Sequence, residues 1–421
     1  MRAAPRAEIV GSLLRGAEVV RAARGDLGDG RDAAAVLDAA AIEAVKLQEE
    51  LGLDVITDGE VRRTAWAQTP RFVGCFEATP GRGQLNWRGG TVAAGPVPAG
   101  PVAGGPVVGG PVVGGPVVGG AVVSGTVAGG AVAGGIRAGG TTPTGSVVPA
   151  AGSGGYPAVV RRVADAPLLG SMADEYAFLA RHAHARTKFT MAAPSYHRRY
   201  WSPEHSTAAY PDCEEFLAEI RDYQRGVVAD LISLGCDYIQ LDAPNYGSLC
   251  DPDTRARMVA EGRDPDAETV FDAELDNSLF EGVDGVTTAL HVCRGNGPGG
   301  RWHSTGGYGA ISPVLFPRLA FDRLLLEYDS DRAGTFDPLA DVRPGTVVVL
   351  GVVTTKSDEL DDVAALEARI SEAAQIKPLA ELAVSTQCGF ASVPAGNPVT
   401  AAGQRAKLEL VVSLAHRTWP G

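Results

Sequence analysis

The sequence predicts an α/β protein, a (β/α)8 or TIM barrel interrupted by one long low-complexity insertion. Three observations lead there. Short apolar runs alternate with amphipathic helical stretches along the 421 residues, as in βα units around a parallel sheet. Eight such runs are found outside the insertion. Polar side chains capable of chemistry stand at the C-terminal ends of most of them, where a barrel of this kind gathers its site.

The proposed strands are Glu8 to Gly11, Asp54 to Thr57, Lys188 to Ala192, Tyr238 to Leu241, Val286 to His291, Leu324 to Tyr328, Val347 to Val353 and Leu382 to Ser385. Helices are expected at Ala33 to Leu51, residues 212 to 235, Ala267 to Glu281, Asp358 to Gln375 and Ala401 to Ala415. The first of these carries Val36, Ala40, Ala44, Leu47 and Leu51 on one face. In the second, Asp212 caps with Glu215 three positions on, and Phe216, Ile220, Tyr223, Val227, Leu231 and Leu234 recur at steps of three and four before Gly235 ends the helix. The strand that follows, DYIQLDAP, is stopped by its proline just after Asp242. The alternative, an open doubly wound sheet, calls for a phosphate-binding glycine turn after the first strand, and VGSLLRG matches that poorly.

From Gly89 to Gly155 the composition collapses to Gly, Val, Ala and Pro, including GGPVVGGPVVGGPVVGG at 104 to 120. A five-residue period is far too short for a solenoid unit. Glycines and prolines recur too often for a helix, and no large side chains offset the entropy of ordering them. The chain therefore divides into 1–88, the first part of the barrel; 89–155, a flexible insertion after the second strand; and 156–421, the rest of the barrel. The rival reading is a self-associating segment, since valine-rich repeats of low charge pair as strands.

A net charge of -13 opposes nucleic acid as a partner, because an acidic field repels polyanions before contact. No run of about 18 apolar residues is present, and MRAAPRAEIVGSLLRG lacks a signal-peptide apolar stretch. The expectation is a cytoplasmic protein without a membrane partner. The 6 cysteines are sparse and irregular, which suits free thiols or metal ligands better than a disulfide framework.

The strand ends supply Ser12, Asp58 with Glu60, Asp242, His291 with Cys293, Glu327, Lys356 and Cys388. Closure of the barrel brings His291, Cys293, Glu327 and Cys388 together across the mouth. Such an N/S/O/S set suits Zn2+, which takes imidazole, thiolate and carboxylate in a tetrahedral shell. Singly, each residue has a plainer reading. A strand-end histidine is often a hydrogen-bonded structural group, a buried cysteine a small hydrophobe, and Glu327 an ion-pair partner. Between Cys293 and Glu327, the stretch GNGPGGRWHSTGGYGA, with Arg301, Trp302, His303 and Tyr308, reads equally as a lid over the site or as an ordinary mobile surface loop. APSYHRRYW offers Tyr196, His197, Tyr200 and Trp201 as an aromatic wall for a flat ligand or as packing. Cys213, Cys236 and Cys250 carry no assigned chemistry.

Taken together, EIVGSLLRG, LGLDVITDGE, YIQLDAP, HVCRGN, LLLEYDS and STQCGF resemble the catalytic half of cobalamin-independent methionine synthase and its shorter single-barrel relatives. The resemblance covers nearly all of the chain outside the glycine repeat. It implies a barrel whose zinc is held by His291, Cys293, Glu327 and Cys388. It also implies that homocysteine is held at Val10, Gly11 and Ser12 with the acids Glu60 and Asp242. The implied reaction moves a methyl group to that thiol from 5-methyltetrahydrofolate or a methylcorrinoid, with a corrinoid protein as a further partner. Zinc lowers the pKa of a bound sulfhydryl, and two carboxylates favour a thiol bearing an ammonium group over one bearing a sulfonate or phosphate. Three positions depart from the family. Ala243 follows Asp242 in place of an acid, Ser248 stands about where an acid contacts the pterin, and Lys356 replaces a proton-donating histidine. A tetrahydrofolate leaving group needs a proton on nitrogen, which Lys356 would have to supply; a methylcorrinoid leaves as Co(I) and needs none. The alternatives are a zinc-dependent thiol alkyltransferase using an epoxide or another methyl donor, and a non-catalytic zinc-binding barrel.

Overall fold

Capping chemistry sets the ends of the long helices. Asp32 accepts from Ala34 N and Gly52 takes the left-handed turn (φ 80) that closes helix Ala33–Leu51. Asp212 accepts from Glu215 N at 2.8 Å and starts helix Cys213–Ser233. Helix Pro265–Ser278 begins earlier than the apolar spacing predicts because Asp264 caps it and Pro265 fills the first turn, where a missing N–H costs nothing. The helix expected from Asp358 begins instead at Val363. Asp362 is its cap, and Asp358 is occupied elsewhere, accepting from Thr400 N at 2.8 Å beside the start of helix Ala401–Thr418.

The computed structural model describes residues 5–28, 30–79, 88 and 156–420. The insertion at 89–155, with both of its readings, lies outside the described residues. Eight strands are formed: Ala7–Glu8, Val55–Ile56, Arg186–Thr187 continuing as Phe189–Ala192, Tyr238–Asp242, Thr287–Val292, Arg323–Glu327, Val347–Val353 and Leu382–Thr386. Every pairing between them is parallel. Each lies beside its neighbours in sequence, and the first lies beside the eighth. The third strand closes the ring. Its first half pairs with the second strand and its second half with the fourth, and between them Lys188 N still donates to Ile56 O at 2.9 Å. The predicted (β/α)8 barrel is therefore present. Among the described residues, no helix is long and apolar enough to cross a membrane. A separate antiparallel pair, Phe76–Glu77 with Ala158–Val159, flanks the insertion point.

Strand side chains alternate faces, so positions i, i+2 and i+4 stack up the barrel interior. At the bottom, fully buried Glu8 takes Lys188 Nζ at 2.7 Å, Tyr238 OH at 2.8 Å and Arg323 Nη2 at 2.8 Å, contacts between non-adjacent strands that only the interior allows. Above it lies an apolar layer that includes Val10, Ala289, Leu325, Val349 and Ala383. Two residues further on, the same strands present Ser12, His291 and Glu327. The layers beneath thus fix where the chemistry-bearing side chains emerge.

Candidate metal and substrate site

His291, Cys293, Glu327 and Cys388 are all buried, and one ligand atom from each lies within 4.8 Å of every other. The fifth strand ends in His291 and turns through Cys293, the sixth ends in Glu327, and Cys388 follows the eighth. His291 Nδ1 donates to Leu325 O at 3.1 Å, which orients the ring and makes Nε2 the lone-pair atom of its neutral form. Nε2 is buried without a hydrogen-bond partner among the described residues. The sulfurs of Cys293 and Cys388 stand 3.7 Å apart. Two thiolates sharing one tetrahedral zinc at about 2.3 Å are separated by about 3.8 Å, so the pair has the spacing of co-ligands. The orphaned imidazole nitrogen, the two sulfurs and the carboxylate all suit zinc.

Electrostatics point the same way. The contact with Cys293 holds the Cys388 thiol well below its ordinary range against the effect of burial, with His291 and Lys356 assisting. The Cys293 thiol is driven well above its range by the same contact and by burial. Burial pulls the His291 imidazolium down, but Cys388, Asp242 and Glu327 outweigh it and raise it to about 9, so a metal ion would take Nε2 by displacing its proton. Burial also raises Glu327, against Arg332 and Lys356. Four acceptors drawn this close call for a cation.

Surrounding groups orient the four. Arg294 N donates to Glu327 Oε1 at 3.0 Å and Arg332 Nη2 to Oε2 at 3.3 Å. Gly295 N donates to Cys293 Sγ at 3.3 Å. Tyr308 OH accepts from Glu327 N at 2.8 Å and donates to Val292 O at 3.2 Å. The loop carrying these groups is not an ordinary surface loop, since Arg294, Asn296, Gly300, Ser304 and Tyr308 are buried in it. Packing is close enough that a Cβ on Gly295 would stand 2.5 Å from the His303 ring.

The residues expected to hold substrate line the same mouth. Val10 O accepts from Gln240 Nε2 at 2.9 Å, and the same amide donates to Asp242 Oδ1 at 2.8 Å. Gly11 O accepts from Thr57 Oγ1 at 2.9 Å. Ser12 Oγ accepts from Ala391 N at 3.3 Å, joining the first strand to the loop of Cys388. Glu60 adopts φ 53, a left-handed conformation rare outside glycine, with its N–H held by Asp58 Oδ1 at 2.9 Å. Asp242 pairs with His291 in the strand register. Burial and nearby Glu60 push its carboxyl up to about 7, against His291 and the Gln240 donor. Lys356 donates from Nζ to Gly295 O at 3.1 Å and Asn296 Oδ1 at 3.3 Å, two oxygens of the loop that follows Cys293.

Sequence reasoning missed Gln240 and Arg332, and named Tyr308 only as part of a lid or a mobile loop. Gln240 had a readable signal, since it lies two positions before Asp242 and therefore on the same inward face. The aromatic stretch resolves toward packing. Tyr196 and Tyr200 are buried with Trp66, Phe76 and Tyr156, and His197 is buried and bonded to Ala193 O at 2.9 Å and Thr69 Oγ1 at 2.7 Å.

No family model matches the chain. Two uncharacterised proteins of Bacillus subtilis strain 168 align with it. YxjH is 34% identical over 256 residues, 60% of this chain and 66% of its own length. YxjG is 32% identical over 251 residues, 59% of this chain and 66% of its own length. The chain thus spans just under two thirds of each relative. Among solved structures, a Listeria monocytogenes protein provisionally named a vitamin-B12-independent methionine synthase matches with TM-score 0.61 and 22% identity, over 100% of this chain and 99% of that one. A B12-independent methionine synthase from Shewanella sp. W3-18-1, solved with selenomethionine, matches with TM-score 0.62 and 14% identity, over 98% of each chain. At these identities the likeness establishes the fold.

Proposed function

We propose that the chain belongs to the cobalamin-independent methionine synthase family and is a zinc-dependent methyltransferase that methylates a small amino-acid thiol, homocysteine to methionine. The observation that carries this reading is the buried convergence of His291, Cys293, Glu327 and Cys388 within 4.8 Å, with His291 Nε2 left unpartnered. What zinc supplies in such a shell is Lewis acidity toward a thiol sulfur, which favours its thiolate at neutral pH. His291, Cys293, Glu327 and Cys388 would hold the ion, while Arg294, Arg332 and Tyr308 orient the carboxylate and its strand. Val10, Gly11 and Ser12 offer backbone and hydroxyl groups to the amino acid, and Glu60 with Asp242 faces its ammonium group. In the transfer, the sulfhydryl proton passes to solvent before attack, and the S–CH3 bond forms as the bond from methyl to donor breaks. The donor is 5-methyltetrahydrofolate or a methylcorrinoid. Lys356 is the group we assign to protonate a tetrahydrofolate nitrogen as it departs.

The test combines metal analysis with spectroscopy. About one zinc per chain is expected. A cobalt-substituted sample should change its visible band when homocysteine is added, because sulfur then enters the cobalt shell. A metal-loaded protein that leaves the band unchanged and alkylates no thiol from any donor ends the proposal.

A further inference from the structure

Glu60 is held by a chain of side chains that runs behind it into the barrel wall. Thr190, on the third strand, donates from Oγ1 to Glu60 Oε1 at 2.7 Å. The same hydroxyl accepts from Arg63 Nη1 at 2.9 Å. Arg63, itself fully buried, also donates from Nη2 to Thr190 O at 2.9 Å and from Nε to Glu175 Oε2 at 2.9 Å. A guanidinium has donors only, so the Thr190 oxygen must receive from it and has one direction left for its single proton. That direction is Glu60. Oxygen Oε1 is thereby engaged, and its distance of 3.4 Å from Arg63 Nη1 keeps a positive charge behind it. Oxygen Oε2 accepts no hydrogen bond from the described residues. Backbone geometry completes the arrangement. The left-handed Glu60 and the absence of a side chain on Gly11, where a Cβ would lie 2.3 Å from Oε1, let the carboxylate lie against the end of the first strand.

The structure assigns Thr190 and Arg63 as positioning residues that fix the Glu60 carboxylate with one oxygen free for the ammonium group of the thiol substrate, so that they set the preference for amino-bearing over amino-less thiols. This rests on the proposed role of Glu60 in substrate binding. A purely structural account would have Arg63 anchor the turn at 57–63 and nothing more. Such an anchor would affect all thiols alike.

The experiment compares homocysteine with 4-sulfanylbutanoate, which lacks only the amino group, through the visible band of the cobalt-substituted full chain. The unsubstituted protein should bind homocysteine about 30-fold more tightly, the range of a charge-assisted hydrogen bond. In Thr190→Val, which keeps the shape and removes the hydroxyl, the ratio should fall to about 3-fold or less. Metal content and binding of the amino-less thiol should stay within about 3-fold. Thr190→Ser should restore the ratio. An unchanged ratio in Thr190→Val, or equal weakening of both thiols, overturns the assignment, and so does an unsubstituted protein that binds the two thiols equally. If neither thiol perturbs the band of the unsubstituted protein, the proposed function itself falls, and the assignment falls with it.

Discussion

A histidine whose Nδ1 is committed to a backbone carbonyl has one lone pair left, and in His291 that lone pair meets two sulfurs and a carboxylate. Removing any one ligand leaves three, and the shell loses the affinity of its fourth protein donor. Cys388→Ser should therefore cut retained zinc from about one per chain to below about 0.1 after dialysis against a mild chelator, measured by atomic emission. Lys356 poses a different question, because its ammonium bonds two neutral oxygens of the loop that follows Cys293. If it protonates a departing tetrahydrofolate nitrogen, Lys356→Gln should lower folate-driven turnover by about 100-fold or more, since general acids contribute on that scale. Corrinoid-driven turnover should stay within about 3-fold, because Co(I) takes no proton. Equal losses with both donors would reduce Lys356 to a support for the loop.

At the level of elements, the strand ends were legible in the sequence because a period of two carries a chemical residue from the interior to the mouth. Once HVC and LEYD were placed on strands, His291, Cys293 and Glu327 followed. The partners that hold them were not legible. Tyr308 reaches Glu327 N and Val292 O from a loop whose glycines suggested mobility, and its burial arises from packing that no local pattern encodes. Thr190 and Arg63 were hidden for a related reason, since 127 positions separate them along the chain and only barrel closure brings them together. The helix start misplaced at Asp358 failed because two aspartates compete as caps and the choice depends on Thr400, far downstream. Tyr308→Phe tests how much the loop contributes. It strands the buried Glu327 N–H and should weaken zinc by about 10-fold, as outer partners of metal ligands commonly do. Chelator competition would measure this, and an affinity within twofold of the unsubstituted protein would place Tyr308 in packing alone.

For the whole molecule, the buried acids divide into two groups with opposite pH dependence. Glu8 loses solvation on burial, yet Lys188 and Arg323 more than compensate and hold it at about 2 in the fold. A depressed carboxyl adds stability above its unfolded range near 4.5 and loses it as pH falls toward 2, on the order of 3 kcal/mol for Glu8 alone. Burial lowers Lys188, and that returns part of the gain. Burial raises Asp58 to about 6, Asp272 to about 6 and Asp276 to about 7. These folded forms bind a proton more tightly than the unfolded chain, so stability rises as pH falls from about 7 toward their unfolded range near 4. The two trends cross in mild acid. Urea midpoints should therefore be higher at pH 5 than at pH 7.5 and should drop steeply by pH 3. Measuring this in Cys388→Ser keeps acid-driven metal release out of the comparison. Glu8→Gln should lose about 3 to 5 kcal/mol at neutral pH, because it leaves two buried cations without their carboxylate. Its deficit should shrink as pH falls from about 4.5 toward 2, where the unsubstituted Glu8 also takes up a proton. A midpoint that falls steadily from pH 7.5 to pH 5 would mean that the buried imidazoles His197 and His303, which burial holds at about 4 and about 3, outweigh the three aspartates.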